Sequence, residues 1–136
     1  MNLTNSEVAT LKSPLLGWGM VLLFVILNIT GALLLKNQIQ KLGSWEFTSI
    51  RSLPLFFTQL FFSWTTLVAI GSLFASTIAW SLALANLELS KAYPVAIGLN
   101  FLLIMLSATF FYGESIGLQK LSGILLILLG IISLLK

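Results

Sequence analysis

Two asparagines stand inside long apolar runs, Asn28 in "VILNITGALLLK" and Asn100 in "AIGLNFLLIML". An amide in hydrocarbon is costly unless it finds a partner, so both are expected to face the interior of a helix bundle. Ser72, Ser76, Thr77, Trp80 and Ser81 lie in another apolar run, and Thr30, Ser107 and Thr109 accompany the asparagines. For the hydroxyls the plainer expectation is hydrogen bonding between helices. For Asn28 and Asn100 contact with a substrate weighs as heavily. Lys36 and Lys120 close or open apolar runs. Each can snorkel to lipid head groups or pair with a phosphate carried by a substrate.

Other chemistry is missing. The chain has no histidine and no cysteine. It therefore lacks the commonest general base, the commonest metal ligand and any thiolate site. The serines have no activating partner, so no enzyme, metal site or cofactor is expected. The four acidic residues, Glu7, Glu46, Glu88 and Glu114, all fall in polar segments or at the borders of apolar runs. A carboxylate at mid-membrane is the usual device for coupling protons to transport, and one chain alone supplies none.

The elements that must position these residues follow from composition. Of 136 residues, 58% are hydrophobic and 8% charged, against about 25% charged in a soluble domain. The chain is expected to be an all-α integral membrane protein of four transmembrane helices with short loops, assembled as a dimer. Helices are required because backbone groups in lipid must bond within the segment. A formal charge of +3 is too small to suggest nucleic acid.

A polar leader over residues 1–14 precedes a transmembrane domain over 15–136. The leader is followed by an apolar run too long for a signal-peptide core, which reads as a retained span. Spans are expected at about 15–35, 64–87, 92–112 and 118–135, the first about 30 Å long. Residues 53–63, "LPLFFTQLFFS", are expected to lie in the interface or to extend the second span at a tilt, with Phe56, Phe57, Phe61, Phe62 and Trp64 as an aromatic belt. Trp45 and Phe47, in the polar stretch before them, could rest at headgroup depth. Pro94 is expected in the first turn of the third span, where its missing N–H costs nothing. The short "ELSK" link makes the second and third spans antiparallel neighbours. Lys12, Lys91 and Lys136 fall on one side, and Lys36, Lys41, Arg51 and Lys120 on the other. So even a balance allows either a modest orientation bias or insertion both ways as an antiparallel pair.

Gly123 and Gly130, seven residues apart in "SGILLILLGI", place two small residues on one helix face, where another helix can approach closely.

The stretches "NITGALLLK", "AWSLALANLELSKAYPVAIGLNF", "FFYGESI" and "LSGILLILLGI" resemble the four-helix, small multidrug resistance-like members of the drug/metabolite transporter superfamily. The resemblance covers nearly the whole chain after Leu15. Two branches compete. One comprises proton-coupled exporters of organic cations that form antiparallel dimers. The other comprises aminoarabinose-phosphoundecaprenol flippase subunits and their EamA-like relatives. Both are similar to this chain at Gly31 followed by Lys36. The exporters place a proton-binding glutamate three residues before that glycine, and here the position is Asn28. The run from Trp80 through Asn86 to "AYP", with Leu99 and Asn100 after it, resembles the flippase branch more closely. Glu88 and Lys91 depart from that branch's loop. The glycine pair helps form the dimer in the exporters.

The resemblance implies a small transporter or flippase of the bacterial cytoplasmic membrane that moves a lipid-linked or phosphate-bearing amphiphile. It implies substrate contacts from Asn28, Trp80, Tyr93 and Asn100, phosphate or headgroup pairing by Lys36 and Lys120, and a dimer contact at Gly123 and Gly130. Four helices enclose little, so the partner is expected to be a second copy or a paralogous four-helix subunit. The alternatives are a proton-coupled small multidrug exporter and a non-transporting accessory subunit of a membrane complex.

Overall fold

The structure is a computed structural model and describes residues 13–42, 53–115 and 117–134. Lys12, Trp45, Phe47, Arg51 and Lys136, and nearly all of the leader, lie outside them. The described residues form five helices: α1 (Pro14–Lys41), α2 (Leu53–Phe61), α3 (Trp64–Asn86), α4 (Leu89–Tyr112) and α5 (Leu118–Leu134).

Local chemistry sets the ends. Ser13 caps α1, its hydroxyl accepting from the Leu16 amide with Pro14 at the first helical position. No breaker follows Leu35, so α1 runs on through Lys36 to Lys41, six residues past the expected span. Ser63 has extended backbone and separates α2 from α3, making 53–61 a helix of its own and not an extension of α3. α4 ends at Gly113, whose φ of 64° is the left-handed cap that a glycine adopts without strain.

Pro94 departs from its expected place. Extended Glu88 caps α4, and its carbonyl accepts from the Lys91 and Ala92 amides at 3.1 and 2.9 Å. The helix therefore starts at Leu89, and Pro94 lies inside it. The missing N–H falls opposite the Ser90 carbonyl, on an exposed residue at the helix start where water can satisfy it.

α1, α3 and α4 are long and apolar enough to cross a membrane, with mean hydropathies of 2.3, 1.9 and 2.0. α5 is apolar but shorter, 17 residues, or about 25 Å. The tightest pair is α1 and α3, packed antiparallel. Its seam is built on small residues. A Cβ on Gly31 would meet Leu73 Cγ at 2.7 Å and the Ala69 carbonyl oxygen at 3.0 Å, so only glycine admits this approach. Buried Val21, Val25, Ala69, Ala79 and Ala83 fill the rest. α4 packs on α1, and α5 packs on α4. α3 and α4 follow each other through a two-residue link but touch sparsely, because α1 is the main support of both.

The hydroxyls also differ from expectation. Thr30, Ser76, Thr77, Ser81 and Thr109 all donate to carbonyls three or four residues back in their own helix, at 2.7–3.1 Å. In an apolar surrounding the preceding turn offers the nearest acceptor, and it takes the one proton that each of these hydroxyls can donate. Half-buried Ser72 and Ser107 and buried Thr66 have no hydrogen-bond partner among the described residues.

Candidate functional site

Two groups of side chains stand out, toward opposite ends of the bundle. The first is aromatic. Trp80 of α3 lies 5.1 Å from the ring of Phe24 on α1 and 6.0 Å from that of Tyr93 on α4, tilted to both. Each of the three helices also contributes one buried aliphatic behind the rings: Val21, Ala83 and Ala96. The structure thus joins two of the expected substrate residues, Trp80 and Tyr93. Sequence reading passed over Phe24; its position one turn before Asn28 was the available signal.

Asn28 and Asn100 are half-buried, and neither hydrogen-bonds another described residue. Asn28 lies one turn along α1 from Phe24, and Asn100 two turns along α4 from Tyr93. The antiparallel seam, with Gly17 beside Leu87 and Gly31 beside Leu73, sets Asn28 near the level of Ser76. The amides therefore flank the aromatic group without being paired to it.

The second group is charged. α1 and α4 finish on the same side and α5 begins there, which gathers Lys36, Glu114 and Lys120. Lys36 Nζ donates to a Glu114 carboxylate oxygen, and both side chains are about two-fifths exposed (40% and 44%). The same ammonium sits 4.1 Å over the ring of Tyr112. Tyr112 in turn donates its hydroxyl to the Leu33 carbonyl at 3.1 Å, pinning α4 to α1. Glu114 is aimed by the helix end: the Gly113 amide donates to Thr109 O and the Glu114 amide to Ala108 O. The hydrogen bond and charge of Lys36 hold the Glu114 carboxyl below its ordinary value, and the charge of Lys120 adds a smaller pull the same way. Lys120 forms no ion pair among the described residues. In the sequence Glu114 reads only as a border residue; the parity of the helices puts it on the same side as Lys36, and the packing of α4 on α1 makes the contact.

Two open-sided grooves run along the second half of α4 to this cluster. One, of about 520 Å³, lies between α1 and α4; its apolar wall carries Thr30, Asn37 and Ser107, with Tyr112 at the charged end. The other, of about 480 Å³, lies between α4 and α5; Phe101, Ile104 and Met105 line it, and Glu114 and Lys120 stand at its mouth.

Gly123 is in the wall of the second groove and Gly130 is exposed, and no described atom would meet a Cβ on either. The glycine that seats α5 on α4 is Gly98, which abuts Ile131. At the opposite end of the bundle Glu88 and Lys91 form an exposed ion pair at 2.9 Å.

The chain has similar proteins among bacteria. It is 33% identical over 113 residues to the "Probable 4-amino-4-deoxy-L-arabinose-phosphoundecaprenol flippase subunit ArnE" of Yersinia pestis (strain Pestoides F), covering 83% of this chain and 90% of that protein. The protein of the same name from Pseudomonas syringae pv. syringae is 35% identical over 81 residues, 60% of this chain and 71% of its own length. That of Pseudomonas aeruginosa (strain UCBPP-PA14) is 37% identical over 71 residues, 52% of this chain and 58% of its own. Against the Pseudomonas aeruginosa relatives the match spans little more than half their length, 56–58%. No family model matches the chain, and no solved structure matches it significantly. Three helices of spanning length make it a multi-pass integral membrane protein, in bacteria of the inner membrane. The extent of the Yersinia pestis alignment, together with the helical architecture, shows that the chain belongs to the family of aminoarabinose-phosphoundecaprenol flippase subunits.

Proposed function

We propose that the chain is one subunit of a flippase that carries a lipid-linked, phosphate-bearing amphiphile across the membrane, in the class named for its relatives. The observation that carries this reading is the groove between α1 and α4, mostly apolar and ending at Tyr112, over whose ring the Lys36 ammonium sits. A lipid chain suits the apolar wall, and the charged end suits a phosphate. Lys36 and Lys120 outnumber Glu114, so the cluster keeps a surplus positive charge. The aromatic group and the unpaired amides of Asn28 and Asn100 extend the path toward the other side.

The rest of the assignment follows from the same reading. α5 completes a fourth span, its shorter length met by local thinning of the bilayer. α2 lies in the interface as an aromatic belt. A partner subunit, a second copy or a paralogous four-helix chain, closes the open side of the grooves and meets α5 at Gly123 and Gly130. The protein transports and does not catalyse a reaction.

Export of organic cations by proton exchange fits less well. Among the described residues the two carboxylates, Glu88 and Glu114, both lie outside the helices, and an amide at Asn28 exchanges no proton. The test is translocation of a fluorescent polyprenyl-phosphate sugar in reconstituted vesicles. Acceleration over empty vesicles is expected, with the chain alone or beside a paralogue; none in either arrangement refutes the assignment.

A further inference from the structure

Glu114 stands near two lysines, Lys36 and Lys120, and among the described residues only Lys36 is bonded to it. Lys36 stands beside the end of the α1–α4 groove, its ammonium over the ring of the Tyr112 that lines it, whereas Lys120 lines the α4–α5 groove together with Glu114. An anionic head group that reaches the Tyr112 end of the first groove therefore meets, beside that ring, a lysine that already has a carboxylate on it. Two features make that carboxylate displaceable. The pair is about two-fifths exposed, and ion pairs in contact with solvent are weak. A released Glu114 would not stand unpaired, because Lys120 lines the same groove as Glu114.

We infer that Glu114 is a two-position counter-ion, resting on Lys36 while the groove is empty and passing to Lys120 when a phosphate takes Lys36. This rests on the proposed substrate class and adds a specificity device to it. A ligand must carry an anion able to outcompete an internal carboxylate, so neutral lipids leave the contact closed. The backbone cap at Gly113 fixes the root of the Glu114 side chain, so the exchange needs rotamer changes and not helix movement. Lys120 acts through Glu114 and does not touch the ligand.

The test is equilibrium binding of radiolabelled farnesyl phosphate to the full-length protein in phosphatidylcholine nanodiscs. Glu114→Gln removes the competitor, and binding is expected to tighten about threefold. Lys36→Met removes the anion's partner, and binding is expected to weaken at least about tenfold. Lys120→Met withdraws the second resting place, and binding is expected to weaken about threefold in the native background but not at all in Glu114→Gln. An equal loss in both backgrounds means that Lys120 holds the ligand directly and overturns the exchange. Binding that is lost in Lys36→Met yet unchanged in Glu114→Gln overturns the exchange and leaves the substrate class standing. No binding by any of the proteins, Glu114→Gln included, overturns both. Inorganic phosphate is expected not to bind at the same concentrations, because the apolar wall holds the tail; equal binding would show a free-anion site and overturn the lipid-linked assignment. Circular dichroism of each variant checks folding at these partly exposed positions.

Discussion

The aromatic end and the charged end of this bundle are held by different forces. At the first, Phe24, Trp80 and Tyr93 join three helices over a buried aliphatic layer. Contacts of this kind are insensitive to salt, and their energy comes from shape and dispersion. At the second, α1 and α4 are tied by an ion pair, a cation–π contact and one tyrosine hydrogen bond, all partly open to solvent. Such ties are weak, screened by salt and easily exchanged. About twelve residues of α1, or 18 Å, separate Phe24 from Lys36. On the proposed reading, one end stays closed and the other is opened by a ligand.

The sharpest way to break that contrast is to attack what both ends share. Gly31 lets α1 lie against Leu73 and the Ala69 carbonyl. Gly31→Leu is expected to cost about 3 kcal/mol, because a backbone oxygen cannot move aside as a side chain can. Unfolding in mild detergent would show it as a large loss of stability, with transport lost as well. An unchanged midpoint would mean that the α1–α3 seam is looser than described. Next in size is Trp80→Ala, which removes both ring contacts at once. It is expected to cost about 2 kcal/mol by the same measurement, and the loss should be the same in low and high salt. A strong salt dependence would remove the distinction between the ends.

Much of this was legible in the sequence, for reasons that particular residues make plain. Span existence follows from uninterrupted hydrophobicity, and the ends at Ser13–Pro14 and Gly113 carry their own caps. Trp80 and Tyr93 are marked by the resemblance of the run from Trp80 to "AYP" to the flippase branch. The hydroxyls were misjudged because composition cannot say which acceptor is nearest; their own helix supplied it. Pro94 tolerates a helix start, but the helical turn is already closed five residues earlier at Leu89, behind the extended backbone of Glu88. The sequence suggests lipid head groups or a substrate phosphate as partners for Lys36, and no internal one. Its internal partner lies seventy-eight residues away in sequence, and only the parity of the helices brings the two to one face. The close approaches at Gly31 and Gly98 depend on what packs opposite, which no single helix reveals.

At the charged end the expected pattern is reversed: little stability, much function. Lys36→Met is expected to leave the unfolding midpoint nearly where it was, since a solvent-exposed ion pair contributes little. Its effect should be on transport, with a fall of at least about tenfold in vesicles. A variant that unfolds easily but still transports would place Lys36 among the structural residues and erase the contrast.

The smallest expected effect is the most selective for the ion pair. Glu114 is held below its ordinary carboxyl value of 4.5, first by Lys36 and then by Lys120. A depressed folded-state pKa means that the unfolded chain takes up the proton first. The stabilising contribution is therefore complete above about pH 5 and is lost as pH falls through the lowered folded value. The native protein is expected to have the same midpoint at pH 7 and pH 5.5 and a slightly lower one at pH 3.5. Part of that drop belongs to the other glutamates, so Glu114→Gln is the reference. The variant's drop should be smaller, and raising the salt concentration should narrow the difference by screening the lysines from the carboxylate. If native and variant fall by equal amounts at both salt concentrations, Glu114 carries no linkage and the contact with Lys36 is incidental. A difference that persists undiminished in high salt would point to shielded, core-like packing, and the two ends would then be alike.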